Sequence, residues 1–82
     1  QVSTALALIN FFQAQDLFAI ATLSGSLTLD AVMGSLVPFD ERIQQARPHP
    51  GQIMVAKIIR KILSDSPILK AHQPCVKVQD PY

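Results

Sequence analysis

Two short polar stretches hold the side chains that could take part in chemistry. The first is the Arg47–Gln52 connector, which places His49 between two prolines immediately before a predicted helix. The second is Gln79-Asp80-Pro81-Tyr82. Binding and catalytic side chains are often found on rigid loops beside helix ends. A histidine, amide side chains and a phenol in such places are therefore candidates for hydrogen bonding and proton transfer.

Other polar residues do not form a recognisable chemical motif. His72 and Cys75 are spaced as one edge of a metal site could be, but a second pair of ligands is lacking, so no metal is predicted. Ser24-Gly25 lacks the Gly-x-Ser-x-Gly frame of a nucleophile elbow, and no glycine-rich phosphate loop is present. Lys57, Arg60 and Lys61 are interpreted as a solvated helix face.

The composition argues against several classes of partner and suggests missing protein surface. Seven Lys and Arg against six Asp and Glu give a net charge of +1, which is no footprint for nucleic acid or an anionic membrane. Charged residues make up only 16% and hydrophobic residues 49% of the 82 residues, compared with about 25% charged in average soluble proteins. We expect apolar faces that a partner covers. The single cysteine favours a reducing compartment, here the cytoplasm.

The first predicted element is a helix over Ala5–Leu23. Its Ala and Leu content and its lack of Pro and Gly favour helix over strand. Polar residues such as Asn10, Gln13 and Asp16 argue against a membrane span. Apolar residues cover nearly all of its sides, which is typical of a helix buried in a large protein. We therefore expect residues 1–82 to be an internal helical segment of a larger protein, with no complete domain boundary.

Three further helices are predicted, which makes the fold class all-α with about four helices. Ser24-Gly25-Ser26 is expected to break the first helix, and Ser26 to cap a second one that ends before Pro38. Asp40 is expected to cap a short helix over 41–46. The apolar spacing over Gln52–Leu63 predicts an amphipathic helix. From Pro67 onward the recurring prolines predict an extended loop.

Several motifs resemble the family of aromatic amino acid ammonia-lyases and aminomutases, and most closely histidine ammonia-lyases. The resemblance covers nearly the whole chain, with Pro67–Val76 matching poorly. Its most specific parts are Arg-Pro-His-Pro-Gly-Gln at 47–52 and Val-Gln-Asp-Pro-Tyr at 78–82, taken together. Gln1-Val2-Ser3-Thr4-Ala5-Leu6 and Phe39-Asp40-Glu41-Arg42-Ile43 are also similar to family segments.

The resemblance implies a segment of the helical bundle of a lyase that removes ammonia from an aromatic amino acid; for histidine the product is urocanate. It implies a methylidene-imidazolone cofactor formed from Ala-Ser-Gly, a triplet that this sequence lacks. Tyr82 matches the tyrosine of the proton-transfer chemistry and Gln79 a glutamine of the substrate and cofactor pocket. His49 and Gln52 are assigned to structural support of the site. The family's cofactor-supporting Asn would precede Gln1, and its carboxylate-binding Arg would follow Tyr82.

The resemblance also implies a homotetramer whose sites are built from several subunits, which suits an all-round apolar helix. Because the electrophile is absent, the isolated chain is expected to be inactive. Two alternatives stay open from the sequence. One is a tyrosine or phenylalanine lyase, or an aminomutase, with the same cofactor. The other is a free-standing helical module that self-associates through its apolar faces.

Overall fold

A computed structural model describes residues 1–73, and in this range the chain forms four α-helices and one short 3-10 turn. The helices are α1 (Val2–Ala31), α2 (Glu41–Ala46), α3 (Pro50–Leu63) and α4 (Pro67–Ala71), and the turn is Val37–Phe39. No strand occurs among these residues, so the predicted all-α class with about four helices is confirmed. Residues 74–82, which include Gln79 and Tyr82, lie outside the described range.

Helix α1 is continuous where the sequence predicted a break. The hydroxyls around Ser24-Gly25-Ser26 do not cap a new helix but donate to carbonyls four residues earlier in the same one. Ser26 Oγ donates to the Thr22 carbonyl (2.8 Å) and Thr28 Oγ1 to the Ser24 carbonyl (2.9 Å). Such hydroxyl bonds within a helix compete with capping. The separate second helix is therefore wrong: its start is the last part of α1, and residues 32–36 lie outside any helix.

The end of α1 is a Schellman arrangement. Met33 has a left-handed backbone with φ 54°. Its N–H donates to the Asp30 carbonyl (3.0 Å), and the N–H of Gly34 donates to the Leu29 carbonyl (2.8 Å). These bonds satisfy carbonyls that have no partner at a helix end. A Cβ at Gly34 would lie 2.3 Å from Leu29 Cδ1, so the end of the Leu29 side chain would have to move to admit one.

The short helices begin at capping residues. Asp40 caps α2 as predicted, since its carboxylate accepts a bond from the Arg42 N–H (2.8 Å). Helix α3 covers the predicted amphipathic segment and begins two residues earlier, with Pro50 in its first turn. The extended loop predicted from Pro67 is wrong at its start, because Ser66 caps α4 by accepting from the Leu69 N–H (3.1 Å). Ser followed by Pro is a helix-start signal that outweighs the later prolines.

The packed part of the chain lies at one end of α1. Helix α3 packs against α1 and α2, and α4 packs against α1. Few of residues 1–73 are buried: Ala56, Leu63 and Leu69, with the polar Ser26, Gln44 and Ser66. The chain is elongated, with extents of 58 × 28 × 28 Å.

Most of α1 extends beyond this packed part. Residues 1–21 are all exposed, and the buried and half-buried residues of α1 lie in its last third. Large apolar side chains such as Leu6, Phe12 and Leu17 are more than half exposed. By length and composition α1 could also cross a membrane, a test that core helices of soluble proteins meet as well.

Candidate functional site

Two of the four predicted site residues, His49 and Gln52, lie within the described residues. Both belong to the Arg47–Gln52 connector, which joins α2 to α3. Gln79 and Tyr82 lie outside the described residues, so their roles stay predictions. The geometry therefore concerns the connector and the groups that hold it.

His49 starts α3 through its backbone. It is the N-cap residue with an extended conformation (φ −110°, ψ 117°), and its carbonyl accepts the first helical bond, from the Ile53 N–H (3.0 Å). Its imidazole makes no capping hydrogen bond and is exposed. Pro50 occupies the first helical turn, where the missing N–H is not needed. The rigid entry into α3 thus comes from the main chain of Pro48–Pro50.

Gln52 takes part in a relay of amide hydrogen bonds. Its Nε2 donates to Gln44 Oε1 (2.7 Å), and Gln44 Nε2 donates to the Pro38 carbonyl (2.8 Å). Gln44 is only 4% exposed, so both ends of its amide need partners. The relay ties the start of α3 to α2 and to the turn before it. The role of Gln52 in supporting the site stays a prediction.

A shallow cleft of about 380 Å³ surrounds this relay. Its walls are the turn before α2, the buried Gln44 and the first two turns of α3. The lining residues are Pro38, Phe39, Gln44, Gly51, Gln52, Val55 and Ala56. The groups that reach it are amides and backbone carbonyls, which can bind and orient polar partners but supply no nucleophile or base.

Arg60 holds the same turn from the middle of α3. Its Nη1 donates to the Phe39 carbonyl, next to the Pro38 carbonyl that Gln44 holds. The side chain is half-buried, whereas Lys57 and Lys61 are exposed. The predicted solvated face is therefore wrong for Arg60, because a guanidinium can reach across α3 to an unpaired carbonyl.

Asp40 and Arg42 form a bidentate ion pair at the start of α2. Arg42 Nε and Nη2 donate to the two carboxylate oxygens of Asp40 (3.0 and 2.9 Å). This bidentate hydrogen bond from the Arg42 side chain, assisted by the Arg42 N–H and opposed slightly by burial, lowers the pKa of Asp40 to about 2. The charge of Arg60 contributes in the same direction. Asp40 therefore stays ionised while it caps α2.

Sequence reasoning missed three polar groups that hold the packed part together. Gln44 and Arg60 had no signal, since a buried amide or a bent arginine looks like any surface residue in a sequence. The third is the bond from Ser66 Oγ to Asp30 Oδ1, which links the start of α4 to the end of α1. Ser66-Pro67 was the signal that could have indicated it.

Comparisons with known proteins identify the family. The family model for aromatic amino acid lyases matches residues 1–82. The chain is 51% identical to the histidine ammonia-lyase of Burkholderia cenocepacia (strain HI2424), and 52% identical to those of Paracidovorax citrulli (strain AAC00-1) and Legionella pneumophila (strain Corby). Each match covers all of this chain and 16% of the relative. No solved structure matches the chain.

This chain belongs to the aromatic amino acid lyase family. Among the relatives named above it is similar to histidine ammonia-lyases, and it spans about a sixth of their length (16%). The resemblance stated from the sequence is therefore confirmed at the level of the family.

Proposed function

We propose that the chain is a helical segment of a histidine ammonia-lyase-like enzyme, which converts L-histidine to urocanate and ammonia without oxidation. The observation that carries the proposal is identity of 51–52% over all 82 residues to histidine ammonia-lyases. The exposed part of α1, residues 1–21, supports the proposal, because a helix that is apolar on all sides needs the rest of a large protein around it. On this proposal residues 1–82 are internal to one helical domain.

Within that enzyme, Tyr82 is the proton-transfer residue and Gln79 a hydrogen-bonding residue of the pocket. The elimination takes a proton from the β-carbon of the substrate and the amino group from its α-carbon, so a base must lie beside the β-carbon. An unperturbed tyrosine, with a pKa near 10, is a poor base at neutral pH. Positive charge and hydrogen bonds in the assembled pocket would lower that pKa. His49 and Gln52 support the site by fixing the start of α3.

The methylidene-imidazolone group of this family does not fit the residues of this chain. The sequence contains no Ala-Ser-Gly, and its nearest string, Leu23-Ser24-Gly25, lies inside α1. A helical backbone there holds the chain away from the tight turn that cyclisation requires. The group belongs to another part of the enzyme, and the isolated chain has no electrophile. We expect it to be inactive.

The same proposal includes the assembly and its location. Helix α1 lies in a helical bundle, and the enzyme is a cytoplasmic homotetramer built through apolar helix faces. What supports this is the exposure of residues 1–21 and the single cysteine. Large apolar patches of this kind are association surfaces in soluble proteins.

The test is an assay of the full-length enzyme that contains this segment, with L-histidine, L-phenylalanine and L-tyrosine as substrates. Ultraviolet absorbance of the unsaturated acid reports the product. We expect urocanate from L-histidine only, and none from the purified 82-residue chain. Tyr82→Phe should lower kcat by about 100-fold or more, as loss of a general base does. Product formation by the isolated chain would contradict the proposal.

Two other functions are distinguished by the same work. A tyrosine or phenylalanine lyase would act on those substrates instead, and an aminomutase would return a β-amino acid. The one observation that favours a free-standing, self-associating helical module is the exposed apolar surface of residues 1–21. Such a module requires a reading frame that starts just before Gln1 and stops after Tyr82, whereas a longer frame supports the enzyme.

A further inference from the structure

We draw no further inference here: the strongest candidate, the shallow cleft between the Val37–Phe39 turn and the start of α3, is open in a chain that spans 16% of the length of the relatives named above, and nothing in the structure shows what covers it.

Discussion

Two regions of this chain form helices for different physical reasons. Residues 1–21 of α1 are helical although all of them are exposed, so their helix depends mainly on local preference. The segment from Val37 to Leu63 contains shorter helices that could not stand alone in water. Those helices are held by tertiary bonds, namely the Gln52–Gln44–Pro38 relay and the Arg60 contact. The apolar surface of the first region therefore needs other protein to cover it, whereas the helices of the second region stabilise one another.

This difference decides where a substitution is felt in the isolated chain. Truncating a side chain in residues 1–21 should remove little buried contact, even where the side chain is large and apolar, because all these residues are exposed. A small polar group in the packed region can be essential, because few buried residues share the stabilisation. The predictions below compare matched positions in the two regions, or matched positions within the packed one. All stability measurements refer to dilute, monomeric protein.

Leu63→Ala against Leu17→Ala should show the largest contrast. Leu63 is 6% exposed and Leu17 is 66% exposed. Removing the buried side chain should lower the free energy of unfolding by about 2–5 kcal/mol, enough to unfold the packed end. Removing the exposed one should change it by less than about 0.5 kcal/mol. Urea unfolding followed by circular dichroism measures both. Equal effects would mean that α1 is already covered in the monomer.

Gln44→Met against Gln45→Met tests the amide relay. Gln44 is buried and bonded at both ends, and its neighbour Gln45 is exposed. Methionine has a similar size but leaves the Pro38 carbonyl and the Gln52 amide without their partner. We expect a loss of about 1–3 kcal/mol for Gln44→Met and almost none for Gln45→Met. Faster amide hydrogen exchange at the start of α3 would locate the damage; no change there would contradict the relay.

Ser66→Ala compared with Ser64→Ala tests the hydrogen bond from Ser66 to Asp30 that links α4 to α1. Ser66 caps α4 and donates to Asp30, whereas the exposed Ser64 only bonds back to the Lys61 carbonyl (3.1 Å). Loss of a helix cap costs about 1 kcal/mol, with somewhat more expected here because Asp30 loses its donor. The α4 amide signals in an NMR spectrum should shift towards random coil for Ser66→Ala alone. Retained α4 signals would show that packing of Leu69 suffices.

The parts of the fold that the sequence predicted are those with local causes. The α2 cap at Asp40, the apolar stripe of α3 and the all-round apolar α1 follow from spacing and residue type, and all are present. The two wrong predictions, the break in α1 and the loop from Pro67, involve residues that can form either of two local structures. Ser26 could cap a helix or bond back along one, and Ser66-Pro67 could end or begin one.

The candidate site was predictable only through motifs. The Arg-Pro-His-Pro-Gly-Gln string indicated a rigid entry into α3, and the backbone of His49 provides it. Nothing in the sequence indicated that Gln52 reaches Gln44, since that contact depends on how α2 and α3 pack. Arg60 likewise became half-buried because the Phe39 carbonyl happens to face α3. Tertiary contacts of long side chains leave no periodic trace in a sequence.

The smallest predicted effect concerns the pH dependence of the packed end. The pKa of Asp40 is lowered from 3.8 to about 2 in the folded chain, first by the side-chain hydrogen bond from Arg42. A lowered pKa means that the carboxylate stabilises the fold above pH 3.8, and that this contribution disappears as the pH falls through 2. The carboxyl ¹³C chemical shift of Asp40 measures the pKa directly.

Arg42→Ala should raise the pKa of Asp40 part of the way back towards 3.8. The return should be incomplete, because the backbone N–H of residue 42 still donates to the carboxylate and Arg60 stays nearby. Arg47→Ala removes an exposed cation that is not among the causes of the shift, and it should leave the titration unchanged. If both variants shifted the pKa equally, general charge and not the bidentate bond would hold Asp40 ionised. The ionisation of Asp40 would then depend on the salt concentration.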